Sequence, residues 1–150
     1  MNLTTEHLHK NHPLWDTAPA HIQEWHPHTW PQVILKTRTI PFAVLTNSTS
    51  ETEPVAFLWF TVFNQAPYTL ELHACANPKW HGRWLTLPVL VELLRYLYVD
   101  VEVRQLVAFH SDPGLRKVLK RIGFEALGSF THILNMEKPN VRLIRFLFRV

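Results

Sequence analysis

The chain has a single cysteine, Cys75, among its 150 residues. No internal disulfide framework is available, so an apolar core must hold the fold. A lone thiol fits a reducing compartment, and the cytoplasm is the expectation. No apolar run approaches the roughly 20 residues that a membrane-spanning helix needs. The N-terminus has no basic-then-apolar signal pattern, so the protein reads as soluble and not exported. Internal repeats and low-complexity segments are also missing. Lys and Arg together exceed Asp and Glu by only three, and the basic residues are scattered, with a local excess at Arg142, Arg145 and Arg149. A nucleic-acid footprint would need a clustered basic face, so these arginines read as solvated outward positions of a strand. What is present is 47% hydrophobic content, ample for one core in a single domain over 1–150.

Residues 1–32 hold His7, His9, His12, His21, His26 and His28 together with Trp15, Trp25 and Trp30. His26 and His28 flank Pro27 without helical i, i+4 spacing, and no acidic or thiol ligand completes a metal set. The stretch therefore reads as an aromatic, helical arm packed on a core over 33–150. Ala18 to Trp25 is its best helix, capped by Asp16 or Thr17. From Val33 onward the pattern changes. Thr37 to Thr46 and Val55 to Phe63 are rich in β-branched and aromatic residues, and the polar run between them reads as a hairpin turn. A further turn at Asn64 to Pro67 leads into a strand over Tyr68 to Ala76.

A loop of mixed basic and aromatic residues follows, then a helix whose stripe Leu90, Leu93, Leu94 and Leu97 puts four leucines on one face. Thr86 caps it, and Pro88 sits in its first turn, where a missing N–H costs nothing. A loop that feeds a helix N-terminus presents unpaired donors and the positive end of a dipole, which suit a phosphate. Arg104 to Phe109 reads as a buried strand. Ser111 or Asp112 then caps a second helix with Leu115, Val118, Leu119 and Ile122 on one face, stopped by Gly123. Phe130 to Met136 and Val141 to Phe148 close the chain as strands. The order predicts an α+β fold, with a mixed, mostly antiparallel sheet, a central parallel βαβ crossover and flanking helices.

This order, with two signatures, resembles the GNAT superfamily of acyl-CoA-dependent N-acetyltransferases over about residues 35–136. The pyrophosphate loop, R/Q-x-x-G-x-G/A in the family, is similar to Lys79-Trp80-His81-Gly82-Arg83-Trp84. The Asn-x-x-Ala…Gly-Phe helix is similar to Asp112-Pro113-Gly114-Leu115 through Gly123-Phe124. With Trp-Leu-Thr in place of the usual Gly-x-Gly, the loop looks most like that of divergent members encoded by bacteriophages.

The resemblance implies acetyl-CoA as cofactor and an amine, on a small molecule or a protein, as acceptor. It places cofactor contacts at Ala74, Cys75 and Ala76 on the strand, at His81, Gly82, Arg83, Trp84, Leu85 and Thr86 in the loop, and at Asp112. It places proton transfer at Glu71 and His73, which are two apart and so share one face of their strand; a carboxylate or a histidine there can take a proton from an ammonium substrate. The same pair also reads as a cross-strand polar pair at the end of a half-buried sheet. Two positions depart from the family pattern. Trp84 stands where the second glycine is expected, and its bulk would fill the phosphate space. Leu119 stands where members with a catalytic tyrosine carry it, which leaves Tyr96, Tyr98, His110 or water to protonate the leaving thiolate. Two functions follow: an N-acetyltransferase, or a GNAT-fold module without chemistry, such as a phage virion or accessory protein with protein partners, its aromatic arm and Arg-studded last strand serving as contact surfaces.

Overall fold

The computed structural model describes residues 3–25, 39–47, 52–62, 68–110, 119–121, 123–132 and 141–149, of which 109–110, 126–132 and 141–149 are described by backbone alone. The elements are β1 (Leu3–His7), a 3-10 turn (Pro13–Asp16), α1 (Ala18–Trp25), β2 (Ile40–Thr46), β3 (Pro54–Val62), β4 (Thr69–Ala76), a second 3-10 turn (Pro78–Trp80), α2 (Leu87–Asp100), β5 (Gln105–His110), β6 (Glu125–His132) and β7 (Val141–Arg149). The strands form one seven-stranded sheet in the order β1-β2-β3-β4-β5-β7-β6. β4 and β5 run parallel, and the other neighbours run antiparallel. The α+β class, the mostly antiparallel sheet and the parallel strand–helix–strand unit at its centre are thus as the sequence predicts.

Period-2 alternation sorts the strand residues onto two covered faces. Phe42, Val44, Leu58, Phe60 and Leu70 point to the side where α2 lays down Val89, Leu93 and Leu97. Ala43, Leu45, Phe57, Trp59 and Cys75 point to the opposite side, under Ala18 and Ile22 of α1. Because both faces of β2 and β3 are covered, these strands read as nearly continuous apolar runs.

Leu3–His7, within the stretch read as a helical arm, is an edge strand paired with β2 from Leu3–Thr46 to His7–Phe42. Its short, polar sequence gives no strand signal of its own, and pairing to β2 decides it. Glu92 on α2 covers that edge, accepting from the Thr5 amide at 3.1 Å and the Thr5 hydroxyl at 2.5 Å. β6 begins at Glu125, five residues before the predicted Phe130, because it pairs with β7 directly after Gly123-Phe124 through a register shift at Ala126–Gly128. β7 lies between β5 and β6, an order no local pattern announces.

Thr86 caps α2 as predicted, its hydroxyl accepting from the Val89 amide at 3.4 Å. The buried face of α2 is Val89, Leu90, Leu93 and Leu97, and Leu94 is only partly buried at its margin. Residues 119–121 are helical and end as predicted at Gly123, where φ is +111°. The Gly123 amide donates to Lys120 O at 3.2 Å and the Phe124 amide to Leu119 O at 2.9 Å. This is a Schellman closure, with Leu119 and Phe124 both buried beneath it. The predicted cap at Ser111 or Asp112 and the apolar positions Leu115, Val118 and Ile122 lie outside the described residues.

Leu97 is fully buried, so Leu97→Ala is expected to cost about 2–5 kcal/mol in denaturant unfolding. Leu94→Ala, at the margin, is expected to cost less than half as much. Equal losses would place the two leucines in one packed face.

Candidate functional site

The centre of the sheet opens along one seam. β4 keeps an unbroken register with β3 through seven pairs, from Ala56–Ala76 to Val62–Leu70. Its pairing with β5 covers only Thr69–Gln105, Leu70–Leu106 and Glu71–Val107. Beyond Glu71, β4 runs on to Ala76 and β5 to His110 without meeting, so the two strands diverge toward their C-terminal ends. No register shift interrupts β3–β4; the opening lies wholly on the β5 side.

The phase of the β3–β4 ladder shows which backbone groups face the opening. The Asn77 amide donates to Val55 O at 2.9 Å, so odd-numbered residues of β4 spend their hydrogen bonds on β3 and even-numbered ones turn theirs away from it. Ala74 and Ala76 therefore direct backbone N–H and C=O toward the seam, past the last β5 partner. Their side chains lie on the α2 face, whereas Cys75 is buried on the α1 face. Burial pushes the Cys75 thiol up to about 12, so it is a small apolar core group and not a nucleophile.

At the mouth of the seam, residues 77–86 connect β4 to α2. Asn77 caps the 3-10 turn, its side chain accepting from the Lys79 amide at 3.2 Å. The amides of Trp80, His81 and Arg83 are used inside the turn, on Asn77, Pro78 and Trp80 carbonyls. Among the described residues, those of Gly82, Trp84, Leu85 and Thr86 have no partner. Gly82 has φ +77°, and a Cβ built there meets nothing within 4 Å; glycine is needed for the left-handed backbone, not for lack of room. Arg83 donates to the Lys79 carbonyl, and its guanidinium lies 5.1 Å over the Trp80 ring. Lys79 forms an exposed ion pair with Glu53 at 3.7 Å. His81 is exposed.

Trp84 does not fill this space. It is 5% exposed and packs in the core with Leu85 and Val89, so the indole points under the helix and the loop keeps its amides clear. Leu119 is likewise a core residue, 2% exposed. Neither tyrosine reaches the seam. Tyr96 packs between His7 and Phe42, at ring distances of 5.0 and 5.3 Å, beneath β1 and β2; Tyr98 lies under the Arg104 guanidinium at 4.2 Å. His110 ends β5, and Asp112 lies outside the described residues.

Glu71 and His73 do come together, on the α1 face where the seam begins. Glu71 Oε2 and His73 Nε2 are 3.0 Å apart. Thr61, which faces Glu71 across the ladder, joins them: its hydroxyl lies 3.1 Å from His73 Nε2 and donates to Glu71 Oε2 at 3.4 Å. Trp59 stacks on the His73 ring with centroids 5.7 Å apart and planes 9° apart. Thr61 and Trp59 are absent from the sequence reading, since only the register that sets Thr61 against Glu71 and Trp59 against His73 shows them. The His73 hydrogen bond and charge, helped by Thr61, hold the Glu71 carboxyl below its ordinary value against the upward push of burial. The pair is a proton-accepting group beside an opening lined with backbone donors.

Two outcomes follow. Because the indole is core, Trp84→Gly is expected to cost about 3–5 kcal/mol in thermal or denaturant unfolding; a variant of unchanged stability would place the indole in the loop mouth. Because the folded value of Glu71 is depressed, its contribution is present above the ordinary glutamate value of about 4.3 and lost as pH falls through the folded value. The Tm difference between the parent and Glu71→Gln should therefore be small and positive at neutral pH, since the group is partly exposed, and vanish in acid. A difference that grows in acid would contradict the pairing.

No protein-family model matches the sequence, and a comparison with curated proteins finds no match. Solved structures do match. The chain is similar to mutant forms of the spermidine/spermine N-acetyltransferase SpeG from Vibrio cholerae, at 11% identity and TM-score 0.73, covering 99% of this chain and 95% of that one. It is also similar to the ribosomal-protein-S5-alanine acetyltransferase from Vibrio fischeri, at 13% identity and TM-score 0.62, over 90% and 70% of the two chains. A GNAT-family acetyltransferase from Bacillus anthracis matches at 15% identity and TM-score 0.60, over 79% and 70%. With so few identical residues, what is shared is the arrangement of strands and helices: the chain has the fold of the GNAT N-acetyltransferases.

Proposed function

We propose that the protein is an N-acetyltransferase that moves the acetyl group of acetyl-CoA to a primary amine. The observation that carries this reading is the β4–β5 seam, which closes at Glu71–Val107 and opens toward the unpaired amides ahead of α2. Acetyl-CoA, when bound, supplies the activated acyl group. The donor set suits a pyrophosphate: the free amides of Gly82, Trp84, Leu85 and Thr86 precede a 14-residue helix, Arg83 adds a fixed positive charge, and no carboxylate stands in the loop. Ala74 and Ala76 carry amides toward the seam, where a donor can polarise a carbonyl as charge develops on it. The Glu71–His73 pair, with Glu71 ionised, takes the proton that an ammonium acceptor must lose before its nitrogen can attack.

Leu119 donates no proton, and Tyr96 and Tyr98 are engaged elsewhere. A thiol of ordinary pKa near 8.5 leaves as its thiolate, with water sufficient to protonate it. No helix among the described residues is long and apolar enough to cross a membrane, and the acceptor in this reading is a small molecule or a protein amine met in water.

Calorimetric titration with acetyl-CoA is expected to give a micromolar Kd, and the ligand to raise Tm, by about 2.7 kcal/mol of stabilisation at a hundredfold excess over Kd. No heat and no Tm change at millimolar acetyl-CoA would rule the reading out.

A further inference from the structure

Resting on the acetyl-transfer reading, we infer that His73 Nδ1 is the atom that takes the acceptor's proton, and that Glu71 and Thr61 are positioning residues that fix the His73 ring in its Nε2–H tautomer. His73 Nε2 has two oxygen neighbours, Glu71 Oε2 at 3.0 Å and Thr61 Oγ1 at 3.1 Å. An ionised carboxylate can only accept, so the nitrogen facing it must carry the hydrogen. Thr61 spends its own hydroxyl hydrogen on Glu71 Oε2, which turns its lone pairs toward Nε2–H. A neutral imidazole holds one N–H, so Nδ1 keeps its lone pair. Among the described residues Nδ1 has no hydrogen-bond partner, and the ring is partly exposed. Trp59, stacked on the ring, restrains its plane, so Nδ1 keeps one direction.

The groups around the ring are few. Glu71 is on its own strand, with the uncharged Thr61 and Trp59 on β3. α1, which covers this face, carries His21, engaged with Trp25 at 5.3 Å, and Glu24, which is exposed and forms no ion pair or hydrogen bond with the ring among the described residues. The charge that meets an imidazolium here is therefore that of Glu71. In the step itself one N–H bond of the ammonium acceptor breaks, and its proton passes to Nδ1, directly or through one water. The freed nitrogen lone pair forms the C–N bond as the C–S bond breaks, the sulfur leaving with the electron pair, and the second proton of the acylated nitrogen passes through water to the thiolate. The imidazolium, held by the Glu71 carboxylate, then releases its proton to water. Glu71 thus acts through His73, the division of roles by which a carboxylate orients a histidine base elsewhere.

Long-range 1H–15N correlation on histidine-labelled protein above neutral pH reads the tautomer without any ligand, with the His73 signals identified by their loss in His73→Gln. The expected spectrum gives the pyrrole-type nitrogen to Nε2 and the pyridine-type to Nδ1; the reverse overturns the inference. Glu71→Gln and Thr61→Val should each yield mixed tautomers, and Thr61→Ser should retain the parent's. An unchanged tautomer in both loss variants overturns the positioning role. In turnover with acetyl-CoA and a primary amine, His73→Gln should lower kcat about 10²–10⁴-fold. Glu71→Gln should retain residual turnover. A near-active His73→Gln beside an inactive Glu71→Gln makes Glu71 the base and overturns the inference. If acetyl-CoA does not bind, the acetyl-transfer reading falls by itself, and the tautomer spectrum still decides how the ring is held.

Discussion

Two parallel strands that stop pairing after three residues set the terms for the rest of this structure. A backbone that gives up its ladder leaves polar groups unpaired, and that is tolerated only where the strands are fixed from elsewhere. Here each is fixed on its outer side. β4 has seven pairs with β3, and β5 has six with β7. The sheet is in effect two antiparallel blocks, β1 to β4 and β5-β7-β6, joined at the base of a wedge. α2 bridges from the end of β4 back to the start of β5, and its buried leucines lie against the strands of the first block. The insertion of β7 between β5 and β6 is therefore part of what keeps the wedge open, because it anchors the strand that diverges.

That wedge explains why polar side chains collect on β4. A strand covered on both faces and paired on both edges has little place for a carboxylate or an imidazole. β4 supplies both where its β5 partner ends, and β3 contributes the hydroxyl that links them. One residue further along the same face, Cys75 is closed off under α1, and its thiol is held protonated. The partly exposed imidazole and the closed-off thiol thus stand two residues apart, separated by the depth of α1 cover.

The loop ahead of α2 shows how a bulky residue can stand at a position where the related pattern has glycine. Trp84 turns inward and becomes core, and the left-handed backbone is supplied two positions earlier in the loop, by Gly82. Backbone donors need only their N–H groups clear, and a side chain directed away from the ligand side does not obstruct them.

Much of this was legible from sequence because local chemistry enforces it. The Thr86 cap, the Pro88 first turn, the Gly123 stop and the β-branched and aromatic strands over Ile40–Thr46 and Pro54–Val62 each follow from short-range sterics and hydrogen bonding. Glu71 and His73 share a face because side chains alternate along a strand, and that too is local. Tertiary structure decided the rest. Leu3–His7 is a strand only because β2 offers it an edge, Leu94 yields its place in the core to Val89 because of how α2 rolls onto the sheet, and Trp84 points inward because the helix above it leaves a pocket of apolar neighbours. Thr61 and Trp59 meet the Glu71–His73 pair through a β3–β4 register that spans ten or more residues of chain. No local rule fixes such a register; it is set by which whole faces of two strands bury best against α1 and α2.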